Sequence, residues 1–239
     1  MKIGMVPEAR RRQHFISSLR TMATITERED GGPMRPVGRR RGVRPGGLYA
    51  SHKNGRMVGW ESRAERDAFY CSEVDTRVVA YRSQPHTIEA LIGGRVRRYT
   101  PDIEERLSDG SIRIVEVKEE FEAKRDEDYA LKLAFFGDVY RALGWSFQIV
   151  ERATFGEGPK FRAVSKVQSH RRTGFDASDL ARVRMAIAGE GGACKLGDLT
   201  DLFRNSVVGV AVVSAMMVGR YVEIDLANDL VPTARVAVV

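Results

Sequence analysis

Apolar and polar positions change period several times along the chain, and each change marks an element. In ESRAERDAFYCSEV, Ala64, Ala68, Phe69 and Cys71 recur at helical spacing. Ser62 is placed to cap this helix and Glu65 stands three residues on, a capping box. Short runs fit for strands follow, TRVVAYRS and HTIEALI, then a Gly93-Gly94 turn, RVRRYTPDIEE, an Asp109-Gly110 turn and SIRIVEVK. Residues 123–143 return to helical spacing, with Tyr129, Leu133, Phe136, Tyr140 and Leu143 on one stripe and Gly144 closing the helix. WSFQIVE reads as a closing strand. Ahead of all these, SHKNGRMVGW is a hairpin or irregular segment turned at Asn54-Gly55. A helix, a succession of strands, a helix and a strand make an α/β domain, predicted over residues 49–155.

FGEGPK reads as a linker to a second domain at residues 156–239. There the pattern predicts helices over 178–187, 196–203 and 207–218, then two short strands in GRYVEIDLANDL and ARVAVV. Three helices followed by a small hairpin is the order of a winged helix, a module often used to hold DNA. A small helical domain that packs on a partner protein fits the same order. The third helix is almost wholly Val, Ala and Met, so it lacks the polar outer face of a groove reader. Arg204, Arg220 and Arg171-Arg172 are the better candidates for a DNA contact.

Composition changes the picture at the N-terminus. Residues 1–48 hold eleven Lys or Arg against four acids, so the whole net charge of +7 sits there. This segment includes GGPMRPVGRRRGVRPGG and is expected to be a flexible basic arm suited to phosphate contacts. On charge alone, a solubilising tail explains it as well. With two cysteines, no CxxC and four histidines, neither a disulfide framework nor structural zinc is expected, and both cysteines read as reduced thiols. The longest apolar run, residues 207–218, is shorter than the roughly 20 residues a membrane span needs. No secretion signal is read at the N-terminus, and a cytoplasmic location is expected.

The candidate chemistry lies in YTPDIEERLSDGSIRIVEVK. Taken as a strand, SIRIVEVK sets Ile112, Ile114, Glu116 and Lys118 on one face and Val115 and Val117 on the other. Asp102 follows Pro101, which removes a ladder donor and suits a strand edge or bulge. A two-residue loop at Asp109-Gly110 would face Asp102 away from Glu116. A three-residue loop, Ser108-Asp109-Gly110 with a left-handed Gly110, would set the two carboxylates together, as would a bulge at Pro101. Paired carboxylates beside a lysine suit phosphodiester hydrolysis, in which hard oxygen ligands hold Mg²⁺ or Mn²⁺ and the ammonium steadies the phosphate. Glu65 is a further candidate for the metal shell.

SHKNGRMVGWESRAERDAFY, YRSQP, YTPDI and VEVK, in this order and spacing, resemble the TnsA family, the endonuclease subunits of heteromeric transposases. The resemblance spans roughly residues 48–151, and more loosely the C-terminal third. It implies a restriction-endonuclease-like PD-(D/E)xK core with a winged-helix-like C-terminal domain. It further implies a catalytic set of Glu65, Asp102, Glu116 and Lys118, with the metal on Glu65, Asp102, Glu116 and the Val117 backbone carbonyl. Some members carry Gln where this chain has Glu116. Gln84 matches the family's Gln-Pro and is expected to support the site. The implied setting is Mg²⁺-dependent cutting of the non-transferred strand at the 5′ ends of a mobile element. The implied partners are transposon-end DNA, a DDE-type transposase subunit and an ATPase regulator, close to the nucleoid. A free-standing nuclease of the same fold, in repair, restriction or phage processing, is the nearest alternative; a non-catalytic binding module is another. His52, Lys53, His86, Lys124, Arg125 and Lys132 are read as structural or solvated.

Overall fold

Alternation of buried and exposed positions builds two four-stranded sheets in the first of the two units of the chain. The computed structural model describes residues 8–35, 46–120 and 126–239. Unit one comprises Met1–Tyr49, Val58–Glu65 and Ala80–Glu151; unit two comprises Ala50–Met57, Arg66–Val79 and Arg152–Val239.

The chain opens with β1 (Ala9–Ile16), a 3-10 turn at Ser17–Leu19 and β2 (Thr21–Arg28). Next come β3 (Gly47–Ser51), β4 (Arg56–Trp60) and α1 (Arg63–Val74), then β5 (Val78–Ser83), β6 (His86–Ile92) and β7 (Arg95–Tyr99). β8 (Ile103–Leu107), β9 (Ile112–Lys118), α2 (Glu127–Ala142) and β10 (Ser146–Glu151) follow. One sheet has the order β1-β2-β6-β7, the other β10-β9-β8-β5, and β3 pairs with β4 as a ribbon. β10 runs parallel to β9, whereas β8 and β9 form an antiparallel hairpin. Parallel pairing requires a crossover between β9 and β10, and α2 lies in that connection.

The first sheet overturns the expected arm for residues 9–28. Ala23 and Ile25 of β2 are fully buried with Ile16, Ile88, Ala90 and Tyr99, in one core with Ile114 of β9 and Leu133, Phe136, Val139 and Tyr140 of α2. β1 carries three of the segment's eleven basic residues, yet a strand needs apolar residues only at alternate positions to close a core. Residues 36–45, most of the Gly- and Pro-rich stretch, lie outside the described residues. RVRRYTPDIEE also divides. β7 belongs to one sheet and β8 to the other, and the chain passes between them at Thr100–Asp102.

α2 covers most of the predicted 123–143 but begins at Glu127. Asp126 caps its start by accepting the Tyr129 N–H at 2.9 Å, and Gly144 beyond its end takes φ +79°.

Unit two holds α3 (Arg152–Phe155), α4 (Gly158–Ser169), α5 (Ala177–Gly189), β11 (Ala193–Lys195), α6 (Leu196–Thr200), α7 (Ser206–Val218), β12 (Val222–Ile224) and β13 (Arg235–Val238). Its three strands order as β11-β13-β12. The expected linker at FGEGPK carries the start of α4, because a proline fits the first helical turn, where its missing N–H costs nothing. α7 is buried from Val212 to Val218, in one core with Val167, Val183, Ile187 and Leu199. Val74 joins the same core, and Tyr70 and Cys71 pack against it, which accounts for the second half of α1 belonging to this unit. Among the described residues no helix is long and apolar enough to cross a membrane.

Candidate active site

The β8–β9 hairpin fixes which carboxylates meet. Leu107 N–H donates to the Ser111 carbonyl at 2.9 Å, so the loop is Ser108-Asp109-Gly110, and Gly110 takes φ +85°. A side chain there would be strained, which is why glycine ends this loop. The register pairs Ile103 with Val115; one further step sets Asp102 opposite Glu116. The three-residue loop, the alternative that gathers the acids, is the one observed. Another step brings Pro101 opposite Val117. Hydrogen-bonded pairs of this hairpin fall on odd residues, starting from Leu107 and Ser111, so Val117 would look to residue 101 for a donor. A proline has none. That removes the ladder donor to the Val117 carbonyl, while the Val117 N–H donates to Asp102 Oδ2 at 2.8 Å.

Glu65 is held by its own helix start. Its N–H donates to Ser62 Oγ at 3.1 Å, and its carboxylate accepts from the Glu61 N–H at 2.8 Å and from the Ser62 hydroxyl at 3.2 Å. The capping pair read from the sequence is therefore present, with the Glu61 amide in the place of the Ser62 amide. Glu65 and Glu116 are buried. Burial is the first cause raising the Glu65 pKa, and Glu61 and Glu116 add like-charge repulsion. Asp102 is pushed well above the usual carboxylate range, first by burial and then by Glu116 and Glu65, against the pull of the Val117 N–H and Lys118.

Glu116 accepts three side-chain hydrogen bonds. Its Oε2 accepts from Tyr99 OH at 2.5 Å, and its Oε1 from Lys118 Nζ at 2.6 Å and from Tyr129 OH at 2.6 Å. Lys118 also donates to Tyr129 Oη at 2.9 Å. Burial opposes the charge on Lys118, yet Glu116 and Tyr129 hold its pKa above the ordinary lysine value, so it stays an ammonium at neutral pH. Gln84 sits at φ +44°, donates its N–H to the Asp102 carbonyl at 2.8 Å and accepts the Met34 N–H at 2.9 Å. Gln84 Oε1 is buried with no partner among the described residues. These groups border a cleft of about 570 Å³, which Asp102, Glu116 and Lys118 line together with Arg35, Arg98 and Lys132. Carboxylates and basic side chains share its lining.

Three contributors escaped the sequence reading. Tyr129 counted only as part of an apolar stripe, Lys132 as a solvated face, and Tyr99 as an unremarked strand residue. Lys132 Nζ lies 4.8 Å from the Tyr129 ring and 5.8 Å from the Tyr99 ring. The available signal was spacing: Tyr129 and Lys132 are three apart on one helix face, in the helix that follows the Glu-Val-Lys strand.

Other candidates settle into structural work. His86 is fully buried, with Nε2 at 2.8 Å from Tyr140 OH and Nδ1 at 3.4 Å from Glu104. Glu27, His86 and Glu104 stand close enough to hold an ion, but Arg82 pairs with both acids at 3.0 and 2.6 Å and Arg12 pairs with Glu27 at 2.8 Å. Two guanidiniums already balance two carboxylates there. Glu73 accepts from Ser51 Oγ and from the N–H groups of His52 and Lys53, and Lys53 Nζ donates to the Ser72 and Asp75 carbonyls. Arg171 donates to the Ala50 carbonyl and Arg220 to that of Thr76, so both brace backbone in unit two, whereas Arg172 and Arg204 are exposed. Lys124 and Arg125 lie outside the described residues.

No curated protein matches the chain. Residues 75–152 match the family model of the TnsA-like endonuclease N-terminal domain, a span that includes Asp102, Glu116, Lys118 and Tyr129. Over this span the chain is similar to the TnsA-like endonucleases.

Proposed function

We propose that the cleft is the metal-dependent active site of a transposase endonuclease subunit, cutting the non-transferred strand at the 5′ ends of a mobile element. One observation carries the reading: Glu116 raises the pKa of both Glu65 and Asp102, beside a cleft that Asp102 and Glu116 line together with basic side chains. Carboxylates gathered this way repel unless a cation stands among them, and Lys118 supplies one charge against three.

The donor set fits Mg²⁺ or Mn²⁺, hard cations that take oxygen ligands. Asp102, Glu116 and Glu65 would hold the ion. The Val117 carbonyl, facing a proline that offers no N–H, would add a fourth oxygen. When bound, the metal would neutralise the scissile phosphate and acidify a nearby water. Asp102 is kept aimed by the Val117 N–H, and Tyr99 anchors one oxygen of Glu116. Lys118 is a proton donor rather than a base, since its neighbours keep it charged. Its role is to turn from Glu116 towards the phosphate, donate to the oxygens where negative charge builds, and orient the incoming water. Water attacks phosphorus, the bond to the 3′ oxygen breaks and that oxygen takes a proton, leaving a 3′-hydroxyl and a 5′-phosphate.

The finer setting rests on the family. It includes a DDE-type transposase subunit, an ATPase regulator and transposon-end DNA in the cytoplasm near the nucleoid. For unit two we favour a winged-helix-like domain, supported by the run α5-β11-α6-α7-β12-β13 and the sheet order β11-β13-β12. Because α7 is buried and apolar, this domain would meet DNA or a partner through other surfaces.

The test is strand cleavage on an end-labelled duplex carrying an element end, with the partner subunits present. Mg²⁺ should give a 3′-hydroxyl and a 5′-phosphate on the non-transferred strand, and chelation should abolish cutting. Cutting that persists in chelator, or that falls on the transferred strand, would reject the reading.

A further inference from the structure

The basic groups continue beyond the cleft along β7. Tyr99 points its hydroxyl at Glu116, so strand alternation sets Arg97 and Arg95 on that same face, at steps of about 7 Å. Both arginines are exposed, and among the described residues neither pairs with an acid. Arg98, which alternation sets on the other face of the strand, borders the cleft and pairs with Glu89. β7 is an edge strand of its sheet, so one flank of this row is open. Lys132 reaches in from α2 over the Tyr99 ring. Burial lowers the Lys132 pKa, and Lys118 and Arg97 lower it further, which places Arg97 in the same electrostatic neighbourhood. Like charges lined up without counter-charges repel one another and gain most from a polyanion.

We propose that this face of β7 is a phosphate track: the backbone of the nucleic acid entering the cleft runs past Tyr99, along Arg97 and Arg95, with Lys132 across from it. That the polyanion is DNA rests on the endonuclease reading. A flat strand face carrying arginines two residues apart follows a backbone and offers no reading of base edges, so the track positions DNA without specifying sequence. The competing explanation is that arginines on an edge strand merely prevent pairing with another chain.

Binding of the full chain to unrelated duplexes, in chelator and over a range of salt, separates these explanations. Each lost phosphate contact lowers the slope of log affinity against log salt by about 0.9. Arg95→Ala/Arg97→Ala should lower the slope by about 2 and weaken binding equally across sequences, while Arg106→Ala, an exposed arginine on β8, should change it by less than about half a unit. Arg97→Lys should keep the wild-type slope, since the contact is one of charge. The proposal is overturned if the double variant keeps the wild-type slope, with or without self-association in light scattering, or if Arg106→Ala lowers it as much. Because no metal is present and nothing is cut, failure here leaves the cleavage reading standing, and failure of cleavage leaves this result standing.

Discussion

Tyr129 donates to Glu116 and accepts from Lys118, so one hydroxyl on α2 couples a candidate metal ligand to the neighbouring ammonium. Removing a hydrogen bond to a charged group costs about 1.5–3 kcal/mol. Tyr129→Phe should therefore slow single-turnover cleavage at least about tenfold while leaving the circular dichroism spectrum unchanged; an unaltered rate would reduce Tyr129 to packing. Asp102 makes a second prediction. Its raised pKa means that the folded chain holds this proton more tightly than the unfolded chain does. As pH climbs above the ordinary carboxylate range towards the raised value, the unfolded chain has already lost the proton and the folded chain has not, so stability falls. Thermal melts of the metal-free protein should drop as pH rises above the ordinary carboxylate range, and Asp102→Asn should flatten that drop and melt higher at the alkaline end. Parallel curves for the two proteins would argue against carboxylate crowding. At this scale the sequence was most readable where spacing alone decides. Alternation brings Glu116 and Lys118 to one face, and a capping motif locates Glu65. The meeting of Tyr99 with Lys132 was not readable, because it depends on how β7 and α2 pack, which no local period encodes.

The β8–β9 hairpin is the element on which the site turns. Its loop length decides whether Asp102 faces Glu116, since a slip of one residue moves a strand's side chains to the opposite face. Deleting Asp109 leaves a two-residue loop, and the hairpin should then fold with Asp102 turned away. Cleavage should fall by about two to three orders of magnitude, while the far-ultraviolet spectrum persists. Retained cleavage would mean that the carboxylates do not act together. The sequence offered both loop lengths and could not choose, because the choice is settled by which register buries Ile103 and Ile114. The body and end of α2 were legible from its stripe and Gly144, whereas its start at Glu127, behind the Asp126 cap, was not read. The start of α4 was not, because Gly-Pro reads as a loop until a helix follows it.

Across the whole molecule, the largest departure from the sequence reading is the N-terminal strand pair. Counting charge made residues 1–48 an arm, yet Ile16, Ala23 and Ile25 close the core against Ile88 and Ala90. Removing residues 1–30 should therefore yield an insoluble or molten chain rather than a trimmed one; a soluble product with an undiminished cooperative melt would contradict this packing. The chain also interleaves its two units, with 50–57 and 66–79 grouped with the C-terminal residues, an arrangement that reading consecutive blocks of sequence does not reveal. The central claim concerns four side chains around one metal. Its most direct measurement is the single-turnover rate of Mg²⁺-dependent cleavage by Asp102→Ala and Lys118→Ala beside the wild type, on element-end DNA with partners present. The account predicts that each variant cuts at least about 10²–10³-fold more slowly while still folding. Wild-type rates in either variant would contradict it.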